Sequence, residues 1–276
     1  MSATVTAERT VDTEHRLRYA ISDGWVLTKR NLITYIRKPD LLVFSTIQPV
    51  MFVLLFVYVF GGAMSLALPP GLPYVDFLMP GIFVQTAIFA ATQTGVGLAE
   101  DLKKGLVDRF RSLPMARSAV LSGRTFADSA AIAVQVFLMT VVAVLVGFRL
   151  HAGLPKGMVA IVGTLAVGYA FTWMFAFAGL SLKSVEAVQA ASFTLIFPFV
   201  FASTAFVPAS TFPSWLQTWS KVNPVSIWVD TFRDLTLGPL SPGGENLVTH
   251  MWQSTAWFLA ILAIFVPLSV RLYRRT

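Results

Sequence analysis

The chain has 276 residues, 55% of them hydrophobic and only 13% charged, with a net charge of +7 and no cysteine. Soluble domains carry about a quarter charged residues, so a mean hydropathy of +0.69 excludes that class and indicates an integral membrane domain. Disulfides, thiol nucleophiles and thiolate metal sites are excluded with cysteine, and nucleic-acid binding is not indicated, because Lys and Arg are confined to segments between apolar runs, where topology alone explains them.

Residues 1–17 are polar, unpatterned and without a leading apolar h-region, so a disordered tail with no cleavable signal is expected. From Arg18 to Lys38, Ile21, Trp25, Leu32 and Ile36 recur near helical spacing beside Lys29, Arg30, Arg37 and Lys38. That pattern predicts a helix over 18–38 lying in the membrane interface, with an ordinary cytosolic helix as the alternative.

A crossing of the hydrocarbon core takes about 20 apolar residues. Six stretches meet that length, near 41–62, 77–99, 127–148, 157–180, 187–207 and 254–272. The expected fold is therefore an all-α integral membrane protein with six transmembrane helices, a single domain over 18–276. Pro49, Pro198 and Pro267 fall inside spans, where kinks are expected. Counting Lys and Arg between the spans gives 17 on the side of the termini and 4 on the other, which predicts both termini in the cytoplasm and residence in the cytoplasmic membrane.

The segment FVPASTFPSWLQTWSKVNPVSIWVDTFRDL (206–235) is too polar to span and too aromatic for a free loop. It predicts short re-entrant or interfacial helices over the outer mouth. Asp230 and Arg233 stand at i, i+3, a spacing that allows an ion pair worth a few tenths of a kcal/mol, about 0.3, if exposed. Trp215, Trp219 and Trp228 read as interfacial anchors.

Between spans two and three lies DLKKGLVDRFRSLPMAR (101–117), where Leu102, Leu106, Phe110 and Leu113 form one apolar stripe and Lys103, Lys104, Arg109 and Arg111 lie off it. Pro114 limits this short helix. Two explanations stand: positive charge required by topology with the stripe resting on lipid headgroups, or a knob seated in a cytosolic partner.

An acidic residue and a glycine followed by RFRSLPMAR just after the second span resemble the permease subunit of type-2 ABC exporters, especially the daunorubicin/doxorubicin-resistance permeases. LLVFSTIQPVMFVLLFVYVFGGAM (41–64), FLMPGI (77–82) and FPSWLQTWSKVNPVSIWVDTFRDL (212–235) agree, so the likeness covers roughly residues 20–272. The resemblance implies a principal coupling helix over 101–113 docked on a separate ATP-binding subunit, with Asp101, Leu102, Gly105, Leu106, Arg109, Phe110, Arg111 and Leu113 as its contact residues. A second contact at 181–186 would use Lys183 and Glu186, and the 18–38 helix would be the connecting helix. Pro213, Trp215, Asn223, Pro224, Asp230 and Arg233 would belong to the outer gate. A second copy or a related permease completes the implied assembly in the bilayer, with a drug, antibiotic or lipid as cargo and polysaccharide or glycolipid export as the alternative.

The chain holds no G-x-x-x-x-G-K-[ST], no H-E-x-x-H and no G-x-S-x-G, so no catalytic site and no cofactor are expected in it; ATP and Mg would be bound by the partner. His15, His151 and His250 are scattered and read as solvated or interfacial. Gln48, Gln85, Gln93, Gln135 and Gln189 fall within spans, either bonding between helices or lining a polar part of a transport path. Asp128 sits within reach of Arg124, four residues earlier on the same face. An ATP-independent carrier or scaffold is the rival class, but a carrier is expected to show midplane ionisable residues and repeats, and neither is evident.

Overall fold

The structure, a computed structural model, describes residues 39–105, 117–242 and 246–275. The expected tail 1–17, the interfacial helix 18–38 and the contact residues Leu106, Arg109, Phe110, Arg111 and Leu113 lie outside the described residues. Every described regular element is a helix. Helix α1 (Pro39–Leu54) contains Pro49 and runs through one π-helical turn, Leu55–Phe60, into a last α-turn, Gly61–Ser65. Then follow α2 (Tyr74–Lys103), α3 (Arg117–Val146), α4 (Leu154–Leu182), α5 (Val185–Phe201), α6 (Ser214–Val222), α7 (Pro224–Leu237) and α8 (Leu247–Arg275).

Local chemistry sets several of these boundaries. Pro73 precedes α2 and Asp76 occupies its first turn, where a carboxylate meets the positive end of the helix dipole. The helix stops at Gly105, whose φ of +66° is left-handed backbone open to glycine without penalty. Ser184 caps α5 by accepting the Ala187 N–H at 3.3 Å. Asn223 caps α7 through the Val225 N–H at 2.9 Å, and Pro224 follows at the first position.

Among the described residues, five helices are long and apolar enough to cross a membrane: Thr46–Ser65, Tyr74–Lys103, Leu121–Val146, Leu154–Leu182 and Leu247–Tyr273. The fifth expected span is shorter than the sequence suggests. Instead of running from 187 to 207, α5 has 17 residues and ends at Phe201, a length of about 26 Å against a hydrocarbon core of ~30 Å. Residues 202–208 leave the helix because they fold back under α7, where Thr204, Ala205 and Phe206 are buried.

Helix α2 is the axis of the bundle. Its most apolar window is 78% buried, against 11% for those of the first and last spans, and α4, α3, α5, α7 and α1 all pack on it. The α2–α4 crossing is close because it is made by glycines. A Cβ on Gly179 would stand 2.4 Å from the Gly95 carbonyl oxygen, so the two backbones touch where side chains would hold them apart.

Candidate functional site

Three places along α2 gather the polar chemistry of the described residues: one at each end and one between. At the Lys103 end, Arg124 of α3 donates from Nη1 to Asp101 Oδ2 at 2.7 Å and from Nε to Asp128 Oδ2 at 3.1 Å. The guanidinium lies flat against α2 because position 97 is glycine; a Cβ there would come within 1.6 Å of Arg124 Nη2. Asp128 is buried, so its pairing with Arg124 is the partnership the spacing predicts. On the same end, Glu100 accepts from Lys104 Nζ at 2.9 Å and raises the lysine pKa. Lys183 forms the left-handed stop of α4, Ser184 donates to Glu186 at 2.7 Å, and the Glu186 charge feels that of Lys103. The stretch beginning at Asp101 and the 183–186 hairpin therefore share one end of the bundle. Leu98, Leu121, Trp173, Leu180 and Tyr273 form its apolar floor.

At the opposite end, the Asp230–Arg233 pair is not the exposed, weak contact that its spacing alone suggests. Arg233 is 2% exposed. Its Nη1 donates to Asp230 Oδ1 at 2.9 Å, its Nε to the Phe77 carbonyl at 2.9 Å, and its Nη2 to the carbonyls of Ala205, at 3.0 Å, and Thr204. The guanidinium carbon lies 3.6 Å from the centre of the Phe77 ring. One side chain thus joins α7, the start of α2 and the 204–205 segment. Asn223 adds a second joint, its amide donating to the Phe199 carbonyl at 2.8 Å and the Ala202 carbonyl at 3.2 Å.

Two histidines also prove to be partnered. His151 Nε2 lies 2.7 Å from Asp76 Oδ2, and His250 Nδ1 lies 2.7 Å from Asp234 Oδ2. A tally of motifs misses these pairs because their members are 75 and 16 residues apart. The three tryptophans separate as well: Trp215 is 70% exposed, Trp219 packs on Phe199, and Trp228 is buried with its indole N–H donating to the Ser254 carbonyl at 3.2 Å. Only Trp215, beside the exposed Pro213, has the exposure expected of an anchor.

Between the ends lies a pocket of about 170 Å³. All five glutamines that the sequence places within spans line it: Gln48 from α1, Gln85 and Gln93 from α2, Gln135 from α3 and Gln189 from α5. Thr86, Thr92 and Ser192 add hydroxyls to its wall, with Phe89, Phe193 and Ile196 beside them. Gln85 Oε1, Thr86 Oγ1 and Ser192 Oγ are buried and have no hydrogen-bond partner in the protein. Of the five glutamines, Gln85 is the one whose buried carbonyl oxygen has no partner on a neighbouring helix.

The fold and this distribution of polar groups define a multi-pass helical membrane protein with a polar pocket between its spans and charged joints at the ends of its central helix. Residues 23–237 match the ABC-2 type transporter family, and the chain belongs to it. It is thus a permease, the membrane subunit of an ABC transporter whose ATPase is a separate polypeptide. Two relatives carry drug-resistance names. The daunorubicin resistance ABC transporter permease protein DrrB1 of Streptomyces coeruleorubidus is 30% identical over 89% of this chain and 83% of its own length. The probable doxorubicin resistance ABC transporter permease protein DrrC of Mycobacterium tuberculosis is 26% identical over 95% and 92%. The putative transport permease ycf38 of Cyanophora paradoxa is 30% identical over 79% and 75%.

Proposed function

We propose that this chain is the six-span permease of an ATP-driven exporter in the cytoplasmic membrane, with both termini inside and an amphipathic or hydrophobic cargo. Two copies, or one copy and a related permease, enclose the path, and two ATP-binding subunits sit beneath. The short α5, with the folded-back 202–208 segment, makes the fifth of the six crossings, and α6 and α7 form the outer re-entrant hairpin. The drug-resistance names of two relatives support the cargo class.

The observation that carries this reading is the continuity of α2. Its 30 residues make a rod of about 45 Å tied to α3 through Asp101 and Arg124, walled with glutamine at its middle and clamped by Arg233 at its far end. A push on the 101–113 insert enters α2 and α3 together through the Arg124 joint. The rod then carries it past the pocket to the outer hairpin. Leu102, Leu106, Phe110 and Leu113 seat the insert in the ATPase cleft, and Lys183 and Glu186 make the second contact. Nucleotide shifts the permease between inward and outward states only through its difference in affinity for them.

The test replaces Leu106→Asp and Phe110→Ala and measures membrane insertion, recovery of the ATPase subunit on affinity purification, and ATP-dependent efflux. Normal insertion with the ATPase lost and efflux abolished is the expected result. Undiminished efflux would return the insert to a headgroup-resting role.

A further inference from the structure

We infer that the glutamine pocket is a recognition site for an uncharged, hydroxyl-bearing headgroup of about one sugar ring, carried on an apolar body. The inference rests on the exporter reading for its biological setting, but its evidence is the pocket itself. A buried polar atom without a partner costs about 1–3 kcal/mol, and native proteins rarely leave several together. Here three converge on one space, Gln85 Oε1, Thr86 Oγ1 and Ser192 Oγ, from residues only 2%, 2% and 4% exposed. A group of buried oxygens that the protein leaves unpartnered is one that a ligand with several donors and acceptors can satisfy.

The chemistry of the wall selects the ligand. A primary amide offers both a carbonyl acceptor and N–H donors, and a hydroxyl offers both roles on one atom, so the two pair in either direction. None of the residues lining the pocket is ionisable. A cation placed there would find no carboxylate and an anion no guanidinium, and a charge buried without a partner is strongly disfavoured in a membrane interior. The site therefore discriminates by charge as well as by shape.

Size limits how much of the ligand enters. About 170 Å³ is several times the ~30 Å³ share of one water, yet below the ~300 Å³ at which drug-sized pockets begin. The pocket takes a headgroup and leaves the body outside. Gln48, Gln93, Gln189 and Phe193 are exposed at its mouth, and the Phe193 ring stands edge-on to Phe89 with centroids 6.1 Å apart. An apolar body can lie along these rings while the head reaches inward.

The test uses the full chain in lipid nanodiscs and four probes bearing the same fluorophore: a single-chain alkyl glucoside, an alkylammonium and an alkyl phosphate of equal chain length, and a two-chain glucosyl lipid. Fluorescence polarisation should show the glucoside binding at least about tenfold more tightly than either charged probe, as expected when a buried polar site is matched and not left unpaired. Gln85→Leu combined with Ser192→Ala should remove that preference, while Trp252→Ala, at an exposed position outside the pocket, should leave it intact. If the two-chain probe binds as well as the single-chain one, the source is a bilayer lipid; if it is excluded, the source is a free amphiphile.

Equal or tighter binding of the alkylammonium would overturn the inference, as would a double variant that lowers thermal stability and keeps the parent selectivity, the behaviour of interhelical glue. Should the double variant fail to accumulate, Gln85→Asn gives the same comparison, and the probe series on the parent chain decides by itself. Adding the ATPase subunit and ATP separates the two readings. Glucoside selectivity without ATP-driven translocation would sink the exporter reading alone, and ATP-driven efflux without headgroup selectivity would sink the pocket alone.

Discussion

The clamp around Arg233, which reaches from α7 to the start of α2, and the pocket around Gln85 on α2 both contain deeply buried polar groups, yet they differ in how those groups are satisfied. Around Arg233, Nε, Nη1 and Nη2 all donate to oxygens of the protein, and Thr204 and Asp230 are themselves joined at 2.9 Å. Around Gln85, three buried oxygens have no partner within the protein. A completed network holds three chain segments in one arrangement, because moving any of them exposes a charge or a carbonyl to an apolar surrounding. An incomplete one holds nothing and leaves its bonding capacity for something that comes and goes. Mutation should therefore separate them: stability is lost at the clamp, and selectivity at the pocket.

The largest effect is expected from Arg233→Met. It strips donors from the carbonyls of Phe77, Thr204 and Ala205 and leaves Asp230 without its cation. A loss of about 3–5 kcal/mol follows, read as a fall in thermal unfolding temperature in detergent and in the amount of protein recovered from membranes. A melting temperature equal to the parent's would mean that the clamp is ornamental and the comparison wrong.

Next comes Gly81→Val. A Cβ at Gly81 would lie 2.2 Å from the Ala205 carbonyl oxygen, so α2 must move away from the segment that Arg233 holds. The expected cost is about 1–3 kcal/mol by the same measurement, and it should shrink when combined with Arg233→Met because the joint is already lost. Asn223→Ala removes the cap of α7 together with the bonds to Phe199 and Ala202. It should cost about 1–2 kcal/mol, and amide exchange should rise at the end of α5.

The smallest stability effect belongs to the pocket. Gln85→Leu with Ser192→Ala removes polar atoms that have no partner in the protein, so unfolding should move by no more than about 1 kcal/mol, toward greater stability if at all. A loss as large as that of Arg233→Met would show that these side chains hold helices together. It would erase the distinction between the two regions.

Some of this was legible in the residues. The apolar runs near 77–99 and 157–180 became α2 and α4 with ends two to four residues away, and the aromatic 206–235 segment became the α6–α7 helix pair. The Arg124–Asp128 contact follows from i, i+4 spacing on one helix. Arg124 to Asp101 does not, since it crosses between helices and depends on the missing side chain at Gly97. The i, i+3 spacing of Asp230 and Arg233 found the pair but assigned it the wrong strength, because burial of the guanidinium is decided by Phe77 and Thr204, more than 25 residues away in the chain.

The sequence by itself determined that this chain lives in a membrane, about where its long apolar helices run, that its Lys and Arg gather between the apolar runs, and which family it resembles. Those are properties of hydropathy and short-range spacing, which add up locally along the chain. Only the tertiary structure decided that five glutamines on four helices face one space and that Asp76 and Asp234 each meet a histidine. It also decided that one arginine closes the far end. Which face of a helix turns inward depends on how backbones seat against one another at places such as Gly95 and Gly179. That rotation leaves no periodic trace in a helix that is apolar nearly all round.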